Sequence, residues 1–171
     1  MRADRHQELI HRTFAMNPKP LPDSVHASDA ENAACQAGER NRRRILGDAW
    51  VDRSKAARNP FTADFQDQIT RHAWNDIWGR PGLGDKTRRY LVLAMMLGTH
   101  AYDEFMLHVR AALDGPQESR LSPDDIKEII LMAAIYCGVP VANHAFGLVA
   151  TLLRERGLID APVGAQPPSR G

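Results

Sequence analysis

Tyr90-Leu91-Val92-Leu93-Ala94-Met95-Met96-Leu97 decides the fold. As a helix this run is apolar on nearly all sides, so it belongs at the centre of a helical bundle or in a subunit interface. Asp85 is placed to cap it, Gly98 interrupts it, and a further helix follows over about Tyr102 to Leu113. Beyond the Asp114-Gly115-Pro116 turn, Ser122-Pro123-Asp124-Asp125 supplies an N-cap, a proline at the first helical position and early negative charge. Ile126, Ile129, Ile130, Ala133 and Cys137 then line one face. Gly138 ends that helix, Pro140 restarts the chain, and Phe146, Val149, Ala150 and Leu153 pattern a last helix stopped by Gly157.

Upstream, Thr62 is a candidate N-cap, and Phe65, Ile69, Ala73 and Ile77 recur every four residues as one amphipathic helix ending near Trp78. Gly79, Pro81, Gly82 and Gly84 form a loop. Glu39 to Leu46 carries Arg40, Arg42, Arg43 and Arg44, a pattern read as a solvated helix face. Met1 to Met16 has the spacing of a short helix, broken by Asn17-Pro18-Lys19-Pro20-Leu21-Pro22. No stretch alternates with period two. The expectation is an all-α, single-domain bundle of about six helices over 40–160, with an N-terminal arm at 1–39 and a mobile tail at 161–171.

Composition narrows the partners. The 171 residues are 43% hydrophobic and 25% charged, the profile of one soluble globular domain. A net charge of +1 gives no global pull toward nucleic acid or a membrane surface. The start of the chain has no apolar signal-peptide core and no run reaches the length of a membrane span, so a cytoplasmic setting is expected. Cys35 and Cys137 stand far apart with no CxxC spacing, which excludes a disulfide framework and a zinc knuckle.

Chemistry gathers between Trp74 and Phe146. Glu104 and His108 lie four residues apart, one helical turn on one face, as a carboxylate and imidazole pair. His100, Glu104 and His108 recur at i, i+4 and i+8, a metal-ligand spacing provided the helix is continuous. Gly98-Thr99-His100-Ala101-Tyr102 argues against that continuity. Cys137, on an apolar face, reads as a packed thiol, and Trp74 and Trp78 as core or pocket wall.

Several separated motifs, in order, resemble the carboxymuconolactone decarboxylase family. They are Arg44-Ile45-Leu46-Gly47-Asp48, Phe61-Thr62-Ala63-Asp64-Phe65-Gln66, Ala73-Trp74, Trp78 with Arg80-Pro81-Gly82-Leu83, Thr87-Arg88, Leu107-His108-Val109-Arg110-Ala111-Ala112, and Tyr136-Cys137-Gly138-Val139-Pro140 with Ala142-Asn143. The resemblance covers roughly Arg40 to Arg156. It implies an all-helical fold related to the alkyl hydroperoxidase D proteins, a ring-like homo-oligomer such as a trimer or hexamer, and no cofactor. It also implies decarboxylation of 4-carboxymuconolactone to 3-oxoadipate enol-lactone in protocatechuate degradation.

In that reaction the electrons released with CO₂ pass through a ring double bond to the lactone carbonyl, so the substrate is its own electron sink. The protein must bind anions, stabilise an oxyanion and supply a proton to carbon. The resemblance makes Arg80 and Arg88 the candidates for the carboxylates, through the guanidinium fork. His108 is the candidate proton donor or electrostatic group, with Glu104 expected to orient its ring and raise its pKa. The pattern is modified at Gly84-Asp85, at His100 and Tyr102, and in the longer Asp114 to Leu121 turn. Isomerisation or elimination on a related lactone or keto acid, and a non-catalytic oligomeric binder, remain the alternatives. The thiol peroxidase chemistry of the hydroperoxidase branch lacks its CxxC pair here, since Ala101 and Glu104 stand in the corresponding places.

Overall fold

The structure, a computed structural model, describes residues 28–160; the expected helix within Met1 to Met16, the break after it and the tail at 161–171 lie outside the described residues. Helix α1 runs Asp29–Leu46. Ser28 opens it with a capping box: the Ser28 hydroxyl accepts from the Glu31 N–H at 3.3 Å, and the Glu31 carboxylate accepts from the Ser28 N–H at 2.8 Å. The boundary expected at 39/40 therefore falls inside one continuous helix. Gly47, at φ 84°, ends α1 and lets α2 (Asp48–Ala56) fold against it.

After α2, the Asn59 side-chain oxygen accepts from the N–H groups of Phe61 and Thr62 and forms the turn into α3 (Ala63–Ile69). The Thr62 hydroxyl donates to the Asn59 carbonyl and makes no cap bond to α3, contrary to its expected role. Thr70–Asn75 then widens into a π-helical turn. That turn admits an extra residue, so the expected stripe of Phe65, Ile69, Ala73 and Ile77 does not stay on one face. Phe65 and Ile77 are exposed, while Trp74 points inward. The turn is clamped by α1: a Cβ on Gly38 would lie 2.0 Å from the Thr70 carbonyl oxygen, and the Asn41 amide donates to the Trp74 carbonyl at 2.9 Å.

Four helices follow: α4 (Asp85–Gly98), α5 (Tyr102–Asp114), α6 (Pro123–Tyr136) and α7 (Val139–Glu155). No strand occurs among the described residues, as the all-α reading required. Ser122 and Asp125 form the expected cap of α6, with Pro123 in its first turn. The Asp125 carboxylate also accepts from Tyr90 on α4, which ties the two helix starts together. Gly138, at φ 105°, makes the turn between α6 and α7.

These elements build two cores. The larger joins α4 to α7 through Leu93, Leu97, Phe105, Val109, Ile126, Ile130, Ala145 and Val149. Burying each such large side chain contributes about 1.5–3 kcal/mol. The smaller joins α1, α2, the π turn and α5 through Ile45, Leu46, Val51, Trp74 and Ala111. Helix α5 belongs to both, with Phe105, Val109 and Ala112 turned to one and Ala111 to the other. The α4 run is buried only on its Leu93 and Leu97 side; Leu91 and Met95 are exposed, as are Met132, Ile135 and Tyr136 on α6.

Candidate active site

His108 lies where the two cores meet. Its position on α5, three residues before Ala111 and one before Val109, turns the imidazole toward the smaller core, and it is only 7% exposed. The π turn brings Trp74 to it and the following residues bring Trp78. The His108 ring centroid is 6.4 Å from that of Trp74 and 6.5 Å from that of Trp78, with interplanar angles of 9° and 15°. The two indoles are 5.6 Å apart. Three nearly parallel rings thus wall one side of α5.

The electrostatics run against the sequence expectation. Burial, helped by the positive charge of Arg89, pushes the His108 imidazole down to about 4, so it is neutral at neutral pH. Its Nδ1 is buried without a hydrogen-bond partner. Glu104, expected to orient the ring and raise its proton affinity, is exposed and makes no hydrogen bond to it. One turn along a helix separates solvent from interior here, because α5 presents His108 to the core and Glu104 to its edge.

The two expected carboxylate ligands stand together at the other side of the ring wall. Arg88 donates from Nε to the Leu83 carbonyl at 3.1 Å and from Nη2 to the Arg80 carbonyl at 2.9 Å. It therefore staples the 80–83 loop to the start of α4. Arg80 itself is exposed, as a residue must be to meet a ligand from solvent. The metal-ligand spacing is not assembled: His100 lies in the turn before α5, exposed and at φ 58°, outside the helix that carries Glu104 and His108. Among the described residues no group of three or more His, Cys, Asp or Glu side chains is placed to hold a metal ion.

Two buried arginines were not foreseen. Arg89 is 1% exposed, donates from Nη2 to the Ile45 carbonyl at 3.0 Å, and leaves Nε and Nη1 buried without partners. Its pKa is lowered to about 10 by burial and by Arg44. Arg42, read as part of a solvated face, is buried over the Trp50 ring at 4.9 Å and donates to Gln66 and Ser54. The signal for both was spacing. Arg89 stands four and eight residues before Leu93 and Leu97, and Arg42 three and four before Ile45 and Leu46, so each begins an apolar stripe.

Comparison with known proteins agrees with this arrangement. A sequence profile described as the carboxymuconolactone decarboxylase family matches residues 63–151, from α3 through most of α7. The chain is 34% identical over 117 residues to the 4-carboxymuconolactone decarboxylase of Acinetobacter baylyi, covering 68% of this chain and 84% of that protein. It is 37% identical over 108 residues to the nitrosuccinic acid decarboxylase of Metarhizium robertsii, covering 63% of this chain and 73% of the relative. A 46-residue match to the 4-carboxymuconolactone decarboxylase of Pseudomonas putida is 48% identical, covering 27% of this chain and 96% of the relative. Profile match, full-length similarity and helical architecture coincide, and the chain belongs to the carboxymuconolactone decarboxylase family.

Proposed function

We propose that the chain is a cofactor-independent carboxy-lyase that converts 4-carboxymuconolactone to 3-oxoadipate enol-lactone in the breakdown of protocatechuate. The observation that carries this reading is the neutral, buried His108 against the two indoles, in a chain of this family. Loss of CO₂ turns a localised carboxylate charge into a dienolate spread over the lactone. An apolar ring wall disfavours the first more than the second, so it lowers the barrier between them. A neutral imidazole offers an N–H to the dienolate oxygen. A dianionic substrate beside the ring raises its proton affinity, so the proton that ends on the carbon α to the carbonyl is taken up as substrate binds.

In the same reading Arg80 binds a substrate carboxylate, and Arg88 shares in that role while holding the loop that carries Arg80. Glu104 is the solvent-side member of the pair with His108. Exposed Leu91 and Met95 on α4, with Met132, Ile135 and Tyr136 on α6, support a ring-like homo-oligomer, trimer or hexamer. No described helix is long and apolar enough to cross a membrane. The setting is cytoplasmic, with a small lactone acid as the partner and neither nucleic acid nor lipid. The residue ranges proposed for the folded domain and its flanks are 40–160, 1–39 and 161–171.

The relative that acts on nitrosuccinic acid favours a second reading, decarboxylation of another acid. Nitrosuccinate is also a dicarboxylate with an electron acceptor beside the departing group, so the same site chemistry serves it. The test follows CO₂ release and enol-lactone formation together, without added metal, for wild type and His108→Ala. Wild-type release from the lactone, reduced about a hundredfold or more in the variant, is expected. Release from nitrosuccinate alone moves the assignment to the second reading, and release from neither overturns both.

A further inference from the structure

A cleft of about 710 Å³ opens on the face of α5 beside His108, between the end of α1, helix α2 and the turn after α5. Its apolar floor includes Trp50, Leu107 and Ala111. Six arginines and two aspartates line it, and the cations differ in what holds them. Arg43 is bound to Glu39, Asp48 and Asp52, Arg44 to Asp85, and Arg156 to Asp114 through both terminal nitrogens. Those three are neutralised. Arg53 and Arg110 make no hydrogen bond or ion pair with a described residue, and Arg120 commits only its Nε, to the Gly115 carbonyl at 3.0 Å.

A fourth cation lies behind the floor. The Arg89 guanidinium bonds to the carbonyl of Ile45 and packs beneath Gly115, both cleft residues; a Cβ on Gly115 would fall 2.7 Å from Arg89 Nη2 and 3.3 Å from its Cζ. No carboxylate pairs with it, and its Nε and Nη1 are buried and unpartnered. An unpaired buried charge is costly, and its field is felt most where water and counter-charge are furthest away. Gly115 is what allows that charge to come up against the cleft.

We infer that this cleft is a binding site for a small polycarboxylate, held by Arg53, Arg110 and Arg120 over the fixed charge of Arg89. Planar guanidinium groups match carboxylates in fork geometry, and the Trp50, Leu107 and Ala111 surface suits a short carbon skeleton. The near-zero net charge of the whole chain argues for a small ligand over an extended polyanion. A di- or tricarboxylate is also the class of the proposed substrate, and in that choice of class the inference rests on the decarboxylase reading. Such a ligand has two sources, the substrate's own retained carboxylate or a separate acid acting as effector.

Isothermal titration of tricarballylate into the full chain at low salt tests the site without any turnover. Saturable binding is expected for wild type, weakened about tenfold or more in the Arg110→Ala, Arg120→Ala double variant. Both side chains are exposed, so the fold is not at risk. Arg40→Ala with Arg154→Ala removes equal charge outside the cleft and should leave binding within about twofold of wild type. Absence of saturable binding in wild type, or equal weakening in the two double variants, overturns the inference. Inhibition of CO₂ release by tricarballylate then separates the sources: competition with the lactone assigns the cleft to substrate, and non-competitive inhibition assigns it to an effector. A chain inactive on the lactone fails the decarboxylase reading, while the titration still decides the cleft.

Discussion

The two cores of this molecule share helix α5 and differ in what they bury. The larger, between α4 and α7, encloses Leu93, Phe105, Val109, Ile126 and Ile130 and no polar side chain that lacks a partner. The smaller side encloses Arg42, Arg89 and His108, which carry all the buried unpartnered side-chain nitrogens found among the described residues. Unsatisfied buried polar groups cost stability. One core therefore holds the fold together while the other keeps groups in a state that water would not allow. Placing both on opposite faces of one helix makes the chemistry rigid without asking the reactive side to be stable by itself.

That division can be broken in graded ways. The largest effect should come from Phe105→Ala, which opens a cavity in the larger core: a loss of about 3–5 kcal/mol in denaturant unfolding, with turnover per folded molecule kept. A loss below about 1 kcal/mol would mean the larger core is not the stabilising one. Next comes acid. Because His108 titrates at about 4 when folded and near the ordinary 6.5 when unfolded, the unfolded chain takes up the proton first as pH falls. The contribution is complete above pH 6.5, shrinks between 6.5 and 4 by up to about 3 kcal/mol, and should vanish from the pH profile of His108→Gln.

A smaller change, of opposite sign, is expected for Arg89→Met. Removing an unpaired buried charge should leave stability unchanged or raise it by about 1–3 kcal/mol, even as tricarballylate binding weakens. A strong destabilisation by this variant would place Arg89 with the structural core. Glu104→Gln should do least. An exposed carboxylate with no bond to the imidazole should change turnover by less than about threefold, and a loss near that of His108→Ala would restore it as a working partner.

The larger core was legible in the sequence because its helices carry their own punctuation. Ser122, Pro123 and Asp125 start α6, Gly138 ends it, and its isoleucines repeat at helical spacing. The smaller core was not, for physical reasons that differ by element. Helix α2 is short, with only Val51 buried, so no stripe announces it. The arginines of α1 were assigned to solvent by charge alone, although Arg42 stands in register with Ile45 and Leu46. Arg89 shows the same register with Leu93 and was passed over for its neighbour Arg88. His108 was found by its motif, yet the sign of its pKa shift depends on burial and on Arg89, which belong to tertiary structure.

The π turn makes the number of residues in one segment matter as much as their kind. Steps of four residues overshoot a 3.6-residue turn by about 40° each, so the spacing of Phe65, Ile69, Ala73 and Ile77 already held the excess that the wide turn absorbs. Deleting a single residue between Thr70 and Asn75 would restore an ordinary helix and rotate all that follows by about 100° with a retreat of about 1.5 Å. Trp78 would leave the ring wall and the loop that carries Arg80 would be drawn away with it. No side-chain replacement reproduces that change, so chain length here is itself inherited information, open to loss by one in-frame codon.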